Sequence, residues 1–339
     1  MTGSNVLSVC VVGAGSMGVI TAYHLSLAGA AVTFLARPHH QKRLSKPQIL
    51  YSYDDNSLKT FTGYELLTDP TELTGTSSDF VVITLDGEAL RSEAGERLVE
   101  EIGRAFQNTK TAIILGSVGI DLRSWFIERS GHAEAQVTKG VLGNLIYEVK
   151  PADIPLHPGV DSDLLAKADY GYRHFTSAGF HVDLSAPQVA QEFAALYNCC
   201  SVSECTIIPV EEFKVWVTYF AALAAWELLG WCATADIDPA DETWRLGTEA
   251  MQQFQRLPTY GQTGLAASEN TSAETLLEFF RQQEEGTLPL DLAAFYRYHH
   301  GGKVNGQDHK LLREALNLGE AQGAEICALR TLVERLEEA

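Results

Sequence analysis

The spacing of apolar residues changes once along the chain. In the first part, short continuous runs at 9–12, 31–36, 79–85 and 111–115 read as strands buried on both faces of a parallel sheet. Between them lie helical patterns: Val19, Ala22, Tyr23, Leu25 and Leu27 predict a helix over 16–28 that stops at Gly29, and a second helix is expected over 88–106. Residues 49–67 alternate around Asp54-Asp55-Asn56 and read as a hairpin or an edge excursion. A strand-like run at 136–147, a proline-rich loop at 151–159 and a last strand at 180–185 complete this part. Beyond 186 the period is helical, with helices expected over 188–197, 210–233, 241–256, 272–284, 290–299, 308–319 and 324–337. The segment 210–233 is apolar around its whole circumference and should be the buried centre of this second part. The pattern therefore divides the chain into an α/β domain, 1–185, and an all-α domain, 186–339.

The first strand empties into Gly13-Ala14-Gly15-Ser16-Met17-Gly18 and then into the first helix, which is the setting a dinucleotide fingerprint requires. Gly13 serves the tight turn, Gly15 the close approach of a pyrophosphate, and Gly18 the packing of helix on strand. Ser16 and Met17 sit where the helix offers its first amides and its positive end to phosphate. The second strand ends at Arg37, where an NAD site has an acid; an arginine suits the 2′-phosphate of NADP(H). His39, His40, Lys42, Arg43 and Lys46 follow, a local cationic patch on a chain of formal charge −19. Leu85 and Gly116 end the third and fourth buried runs and should face the cofactor. The loop Gly116-Ser117-Val118-Gly119 reads equally as an approach to the nicotinamide ribose or as a simple turn.

At 339 residues, 45% hydrophobic and 20% charged, the chain has material for two ordinary globular domains. Its opening lacks a basic n-region and a long apolar stretch, so a cytoplasmic protein is expected. The acidic balance argues against a nucleic-acid or anionic-membrane surface. Six cysteines contain no C-x-x-C pair, and no metal is expected. The helices 241–256 and 272–284 leave a homodimer open.

Two places in the second part carry candidate chemistry. Lys214, near the start of the most apolar helix, either snorkels outward or points into a cleft between the domains to meet a carboxylate or a reacting carbonyl. The segment 295–310 gathers Arg297, His299, His300, Lys303, Asp308 and His309 around Gly301-Gly302 and Asn305-Gly306, either a solvated turn or a site for substrate and proton transfer. Lys214, His300 and Asp308 are the candidate proton donors, and Arg297 and Lys303 the clamps for an anionic substrate.

With Gly13-Ala14-Gly15-Ser16-Met17-Gly18, Leu35-Ala36-Arg37 and the helical pattern 311–336 broken at Gly323, the chain resembles the ketopantoate reductase family. The resemblance implies an N-terminal Rossmann dinucleotide-binding domain, a C-terminal helical domain of the 6-phosphogluconate-dehydrogenase-like kind, and NADPH-dependent ketone reduction. It makes Lys214 the counterpart of the family's general acid. The family's asparagines one and two turns later read here as Thr218 and Ala222, its Asn-Gly-x-Gly loop as 116–119, its lysine after the preceding strand as Asp86, and its glutamate as Gln307 or Asp308. By the same correspondence Thr218 and Ser117 become substrate-contact candidates. These departures point to a ketone of the 2-oxo acid type, or an imine, other than ketopantoate. An opine-like or cyclic-imine reductase, and a non-catalytic NADPH-binding sensor or scaffold, are the alternatives.

Overall fold

The computed structural model describes residues 6–338. Its strands are β1 (Ser8–Val12), β2 (Ala31–Leu35), β3 (Gln48–Ser52), β4 (Ser57–Phe61), β5 (Glu65–Leu67), β6 (Phe80–Ile83), β7 (Ala112–Leu115), β8 (Val137–Leu142), β9 (Asn144–Glu148), β10 (Tyr170–His174), β11 (Ala178–Asp183) and β12 (Glu204–Ile208). The larger sheet runs β12-β11-β8-β7-β6-β1-β2-β5. From β5 to β8 all pairs are parallel. Within that stretch the strands follow the 3-2-1-4-5-6 order of a Rossmann sheet, whose ligands sit beyond the strand carboxyl ends where the order reverses, here between β1 and β6. Val11, Phe34, Val82 and Ile114 fill one face of this sheet and Cys10, Val81, Ile113 and Leu115 the other. Continuous apolar runs were needed because both faces are covered.

The hairpin expected at 49–67 is present as β3 and β4, paired antiparallel from Gln48↔Phe61 to Ser52↔Ser57. It belongs to a second sheet, β4-β3-β10-β9. The run 136–147 is two strands rather than one: β8 pairs with β7 and β11, while β9 pairs with β10. Gly143 makes the step, since a Cβ there would lie 2.7 Å from the carbonyl of Ala178.

Two compact units result, one of residues up to 151 together with 160–209, the other of 152–159 with 210 onward. The first extends past the break expected at 185/186. Helix Pro187–Asn198 packs Ala190 and Phe193 into the sheet's core, and β12 adds to β11 in parallel. A helical period alone does not reveal that a helix covers a sheet. The proline-rich loop joins the second unit through the Leu156↔Leu290 bridge and a His157–Asp291 contact of 3.0 Å.

In the second unit the expected helix 210–233 is interrupted. It forms Val210–Val215, a 3₁₀ turn Trp216–Tyr219, and Phe220–Leu228. Val215, Trp216, Val217, Thr218 and Tyr219 are β-branched or aromatic, with weak helix preference. Thr218 Oγ1 also donates to the Val215 carbonyl at 2.7 Å, drawing the turn tight. The buried centre is the stretch 221–226, with Trp226 at 0% exposure, while Trp216 is 41% exposed. Helices Glu242–Gln255, Ala273–Thr287, Leu292–Tyr298, Asn305–Ala321 and Cys327–Glu338 stand where periodicity placed them, three of them capped by Asp241, Ser272 and Asp291. Helices Leu122–Ser130 and Gly261–Asn270 were not expected, and the helix 88–106 is split by the Ser92 cap into Gly87–Leu90 and Glu93–Phe106. Among the described residues no helix is long and apolar enough to cross a membrane.

One buried polar group in the first unit has a measurable consequence. His24, 0% exposed on the helix Ser16–Leu27, places Nδ1 2.6 Å from Tyr197 Oη and stacks on His174 at 5.3 Å. Burial, reinforced by His174, pushes its pKa down to about 3. Between pH 6.5 and about 3 the unfolded chain therefore takes up a proton that the folded chain refuses, so stability falls as pH falls through this window. His24→Gln should flatten the decline of the thermal midpoint between pH 6.5 and pH 4, by on the order of a few kcal/mol in the corresponding free energy. Parallel slopes for the two proteins would remove His24 from the account.

Candidate functional site

The fingerprint turn is built from β1, the helix Ser16–Leu27 and the end of β6. Gly13 has φ +103° and donates its amide to the Leu35 carbonyl at 2.9 Å. A Cβ at Gly18 would lie 2.2 Å from the Gly13 carbonyl oxygen, so helix and strand touch there through backbone alone. Gly15 differs: nothing lies within 4 Å of its Cβ position. As N-cap it brings no side chain to the first turn of the helix. Ser16 is buried behind it, and Met17 packs partly buried against the core, its carbonyl accepting from Thr21 Oγ1 at 2.8 Å. The result is a concave backbone surface at the positive end of a helix, which fits a pyrophosphate. Thr84, at the end of β6, donates to the carbonyls of Val12 at 3.1 Å and Gly13 at 3.3 Å. Leu85 stands against the same turn, its Cδ2 3.1 Å from the Gly13 Cβ position. Gly116 bonds to the Ile83 carbonyl at 2.9 Å, and the buried Ser117 beside it keeps an Oγ with no protein partner.

At the end of β2, Arg37 is exposed and precedes the turn Pro38–His40. Sequence reasoning counted Arg43 only as one more charge. In the fold its Nη2 donates to the Ala14 carbonyl, inside the fingerprint, and its guanidinium lies 5.7 Å over the Tyr170 ring. Gln48 ties the same element down, donating to the carbonyls of Arg43 at 3.0 Å and Lys46 at 2.8 Å. No motif announces a bond to a backbone carbonyl 29 residues away.

In the second unit the structure brings His300 and Asp308 together, with Nδ1 and Oδ2 at 2.7 Å and Asp308 only 6% exposed. Residues His299–Lys303 form a π-helical turn, a form that recurs at functional sites. Gly301 is needed there, because a Cβ would lie 2.7 Å from Trp231 Nε1. The turn separates the adjacent histidines: His299 lies flat on Phe295, and burial holds it neutral, whereas His300 meets Asp308. Phe220, Leu223, Trp231 and Leu312 line a small pocket with this pair. His309 of the segment 295–310 lines it too, as does Glu227, which sequence reasoning did not single out. The Glu227 carboxylate accepts from Asn305 at 2.7 Å and meets His309 Nε2 at 3.0 Å, so it grips the first turn of the helix that carries Asp308.

Lys214 is half exposed and bonds to Glu211 at 3.1 Å, one turn back on its own short helix. Thr218 is fully buried, its hydroxyl spent on Val215. Arg297 and Lys303 are exposed. Among the described residues no group of three or more His, Cys, Asp or Glu side chains is arranged to hold a metal.

Comparison with known proteins places this geometry. Residues 9–86 match the family model described as ketopantoate reductase PanE/ApbA. None of the curated proteins compared matches the chain in sequence. Among solved structures, the 2-dehydropantoate 2-reductase of Geobacter metallireducens GS-15 is similar at TM-score 0.65 and 19% identity, over 98% of this chain and 99% of that one. The 2-dehydropantoate 2-reductase of Methylococcus capsulatus is similar at TM-score 0.66 and 16% identity, over 98% and 96%. D-mandelate dehydrogenase in complex with NADH is similar at TM-score 0.61 and 11% identity, over 98% of each chain. Residues 9–86 thus match the ketopantoate reductase (PanE/ApbA) family model, and the whole chain has the fold of solved 2-dehydropantoate 2-reductases at 16–19% identity.

Proposed function

We propose that the protein is a nicotinamide-dinucleotide-dependent reductase acting on a ketone of the 2-oxo acid type, or an imine, other than ketopantoate, and that it prefers NADPH. The observation that carries this reading is the fingerprint turn, with open space at Gly15 and an arginine rather than an acid at the end of β2. Gly13, Gly15, Ser16, Met17 and Gly18 would hold the pyrophosphate and Arg37 the 2′-phosphate, with Leu85 and Gly116 at the strand ends beyond them. Ser117 supports the reading as well, since a buried hydroxyl without a protein partner is a group awaiting one. Bound there, the dinucleotide supplies hydride.

The protein's own task is to protonate the oxygen or nitrogen that becomes anionic. His300 suits it: Asp308 engages Nδ1 and fixes the ring, which leaves Nε2 to deliver the proton. Between the two donors the sequence left open, Lys214 already has an exposed carboxylate partner, so His300 with Asp308 is favoured. Arg297 and Lys303 are accessible for an anionic group of the substrate. The NADH complex of D-mandelate dehydrogenase, a protein of similar fold, supports nicotinamide chemistry without choosing between NADH and NADPH.

Arg37→Ala tests the cofactor preference. It should weaken NADPH binding by roughly tenfold to a hundredfold, as loss of a charged phosphate contact does, and leave NADH nearly unchanged. Fluorescence titration with both dinucleotides reads this, and equal losses for both would overturn the preference. Oxidation of NADPH against a panel of 2-oxo acids and cyclic imines then tests the reaction; tight binding with no member reduced would favour a sensor.

A further inference from the structure

We propose that His40 is a second, proton-dependent ligand for the cofactor's 2′-phosphate, becoming imidazolium as that phosphate binds between Arg37 and Arg43. The inference rests on the NADPH reading and adds to it a residue and a pH dependence. The geometry comes first. His40 Nδ1 lies 3.3 Å from Arg43 Nη2. A guanidinium only donates, so Nδ1 must carry its lone pair toward Arg43 and the proton must sit on Nε2. This arrangement therefore selects the neutral ring. Arg43 is itself anchored to the Ala14 carbonyl, so His40 is tied through one side chain to the phosphate turn.

The charges that act on His40 directly are cationic, while Glu148 on β9 and Asp169 beside β10 face Arg43 from the other side. The His40 ring is 4.1 Å from that of His39, Arg37 precedes the turn, and the helix Gln41–Leu44 packed against it supplies Lys42 and Arg43. No Asp or Glu occurs between Arg37 and Tyr53. Partial burial, then Arg43, His39 and Arg37, hold the His40 pKa down to about 4. Arg37, His39 and Lys42 are exposed and His40 half-buried, so a phosphate can reach them. A dianion placed among these cations cancels the repulsion that keeps the ring neutral. Protonation then gives Nδ1 a hydrogen, which must leave Arg43 and turn to a phosphate oxygen; the proton comes from solvent. NADH, which lacks the 2′-phosphate, has no such effect.

Calorimetric titration near pH 6.5, in two non-phosphate buffers of different protonation enthalpy, measures the protons exchanged on binding. The 2′-phosphate titrates in this range too, so the informative quantity is the difference between wild type and His40→Gln. Wild type should take up more protons than the variant with NADPH and equally many with NADH. Its NADPH affinity should rise by about tenfold more than the variant's between pH 8 and pH 5.5. In the wild-type protein, nitrogen-15 resonances of His40 should move toward the imidazolium position when NADPH is added, a readout independent of the substitution. Proton uptake unchanged by His40→Gln, with NADPH still preferred over NADH, would overturn the role of His40 alone. No preference for NADPH at any pH would overturn the cofactor reading beneath it.

Discussion

Gly15→Ala should weaken dinucleotide binding on the order of a hundredfold, or about 2.7 kcal/mol, while the protein keeps its thermal midpoint. The two halves of this expectation have separate causes. Gly15 sits at φ −68° and ψ −178°, extended backbone that alanine adopts without strain, and nothing within 4 Å meets the new methyl. Alanine also lowers the entropy of the unfolded chain, an effect of about 0.4–1 kcal/mol that offsets its poorer performance as an N-cap. The methyl does occupy the space from which backbone amides would reach a pyrophosphate. Gly18→Ala is the contrasting variant. Its Cβ would fall 2.2 Å from the Gly13 carbonyl and 2.8 Å from Thr84 Oγ1, so the helix must back away from β1 and the fold is destabilised by about 1–3 kcal/mol. If Gly15→Ala bound NADPH as well as wild type, the turn would be a structural bend and the cofactor reading would fall with it.

That contrast shows what a sequence carries and what it omits. Strand, glycines and helix were legible because each is enforced locally: β1 is buried on both faces, Gly13 has a positive φ, and Gly18 admits backbone contact. Arg37 was legible because it ends a strand whose register follows from the turn. Thr84 and Arg43 were not, because their partners are main-chain carbonyls of Val12, Gly13 and Ala14, brought to them by the pairing of β1 with β6 and by the turn after β1. The same holds for Glu227, which meets Asn305 and His309 from 78 and 82 residues away. Periodicity also misjudged 210–233, where hydrophobicity is helical in pattern but the β-branched and aromatic run Val215–Tyr219 prefers a tighter turn.

The proton donor is where the chemistry itself is most exposed to test. His300→Ala and Asp308→Asn should each lower kcat for the best-reduced substrate by roughly a hundredfold to ten-thousandfold, the range of a general acid, with NADPH affinity unchanged. Asp308→Asn is the more discriminating, since it preserves shape in a position only 6% exposed and removes the carboxylate that orients the His300 ring. The asparagine amide also has a donor and an acceptor to offer Nδ1, so the tautomer of His300 is no longer dictated. Glu227→Gln should produce a smaller loss, because its carboxylate holds Asn305 and His309 and touches neither member of the pair. Lys214→Ala should cost almost nothing, because its ammonium lies at the surface against Glu211. The ranking is the test: a collapse of turnover in Lys214→Ala, with Asp308→Asn close to wild type, would assign the proton to the lysine and leave His300 and Asp308 a structural brace for the turn His299–Lys303.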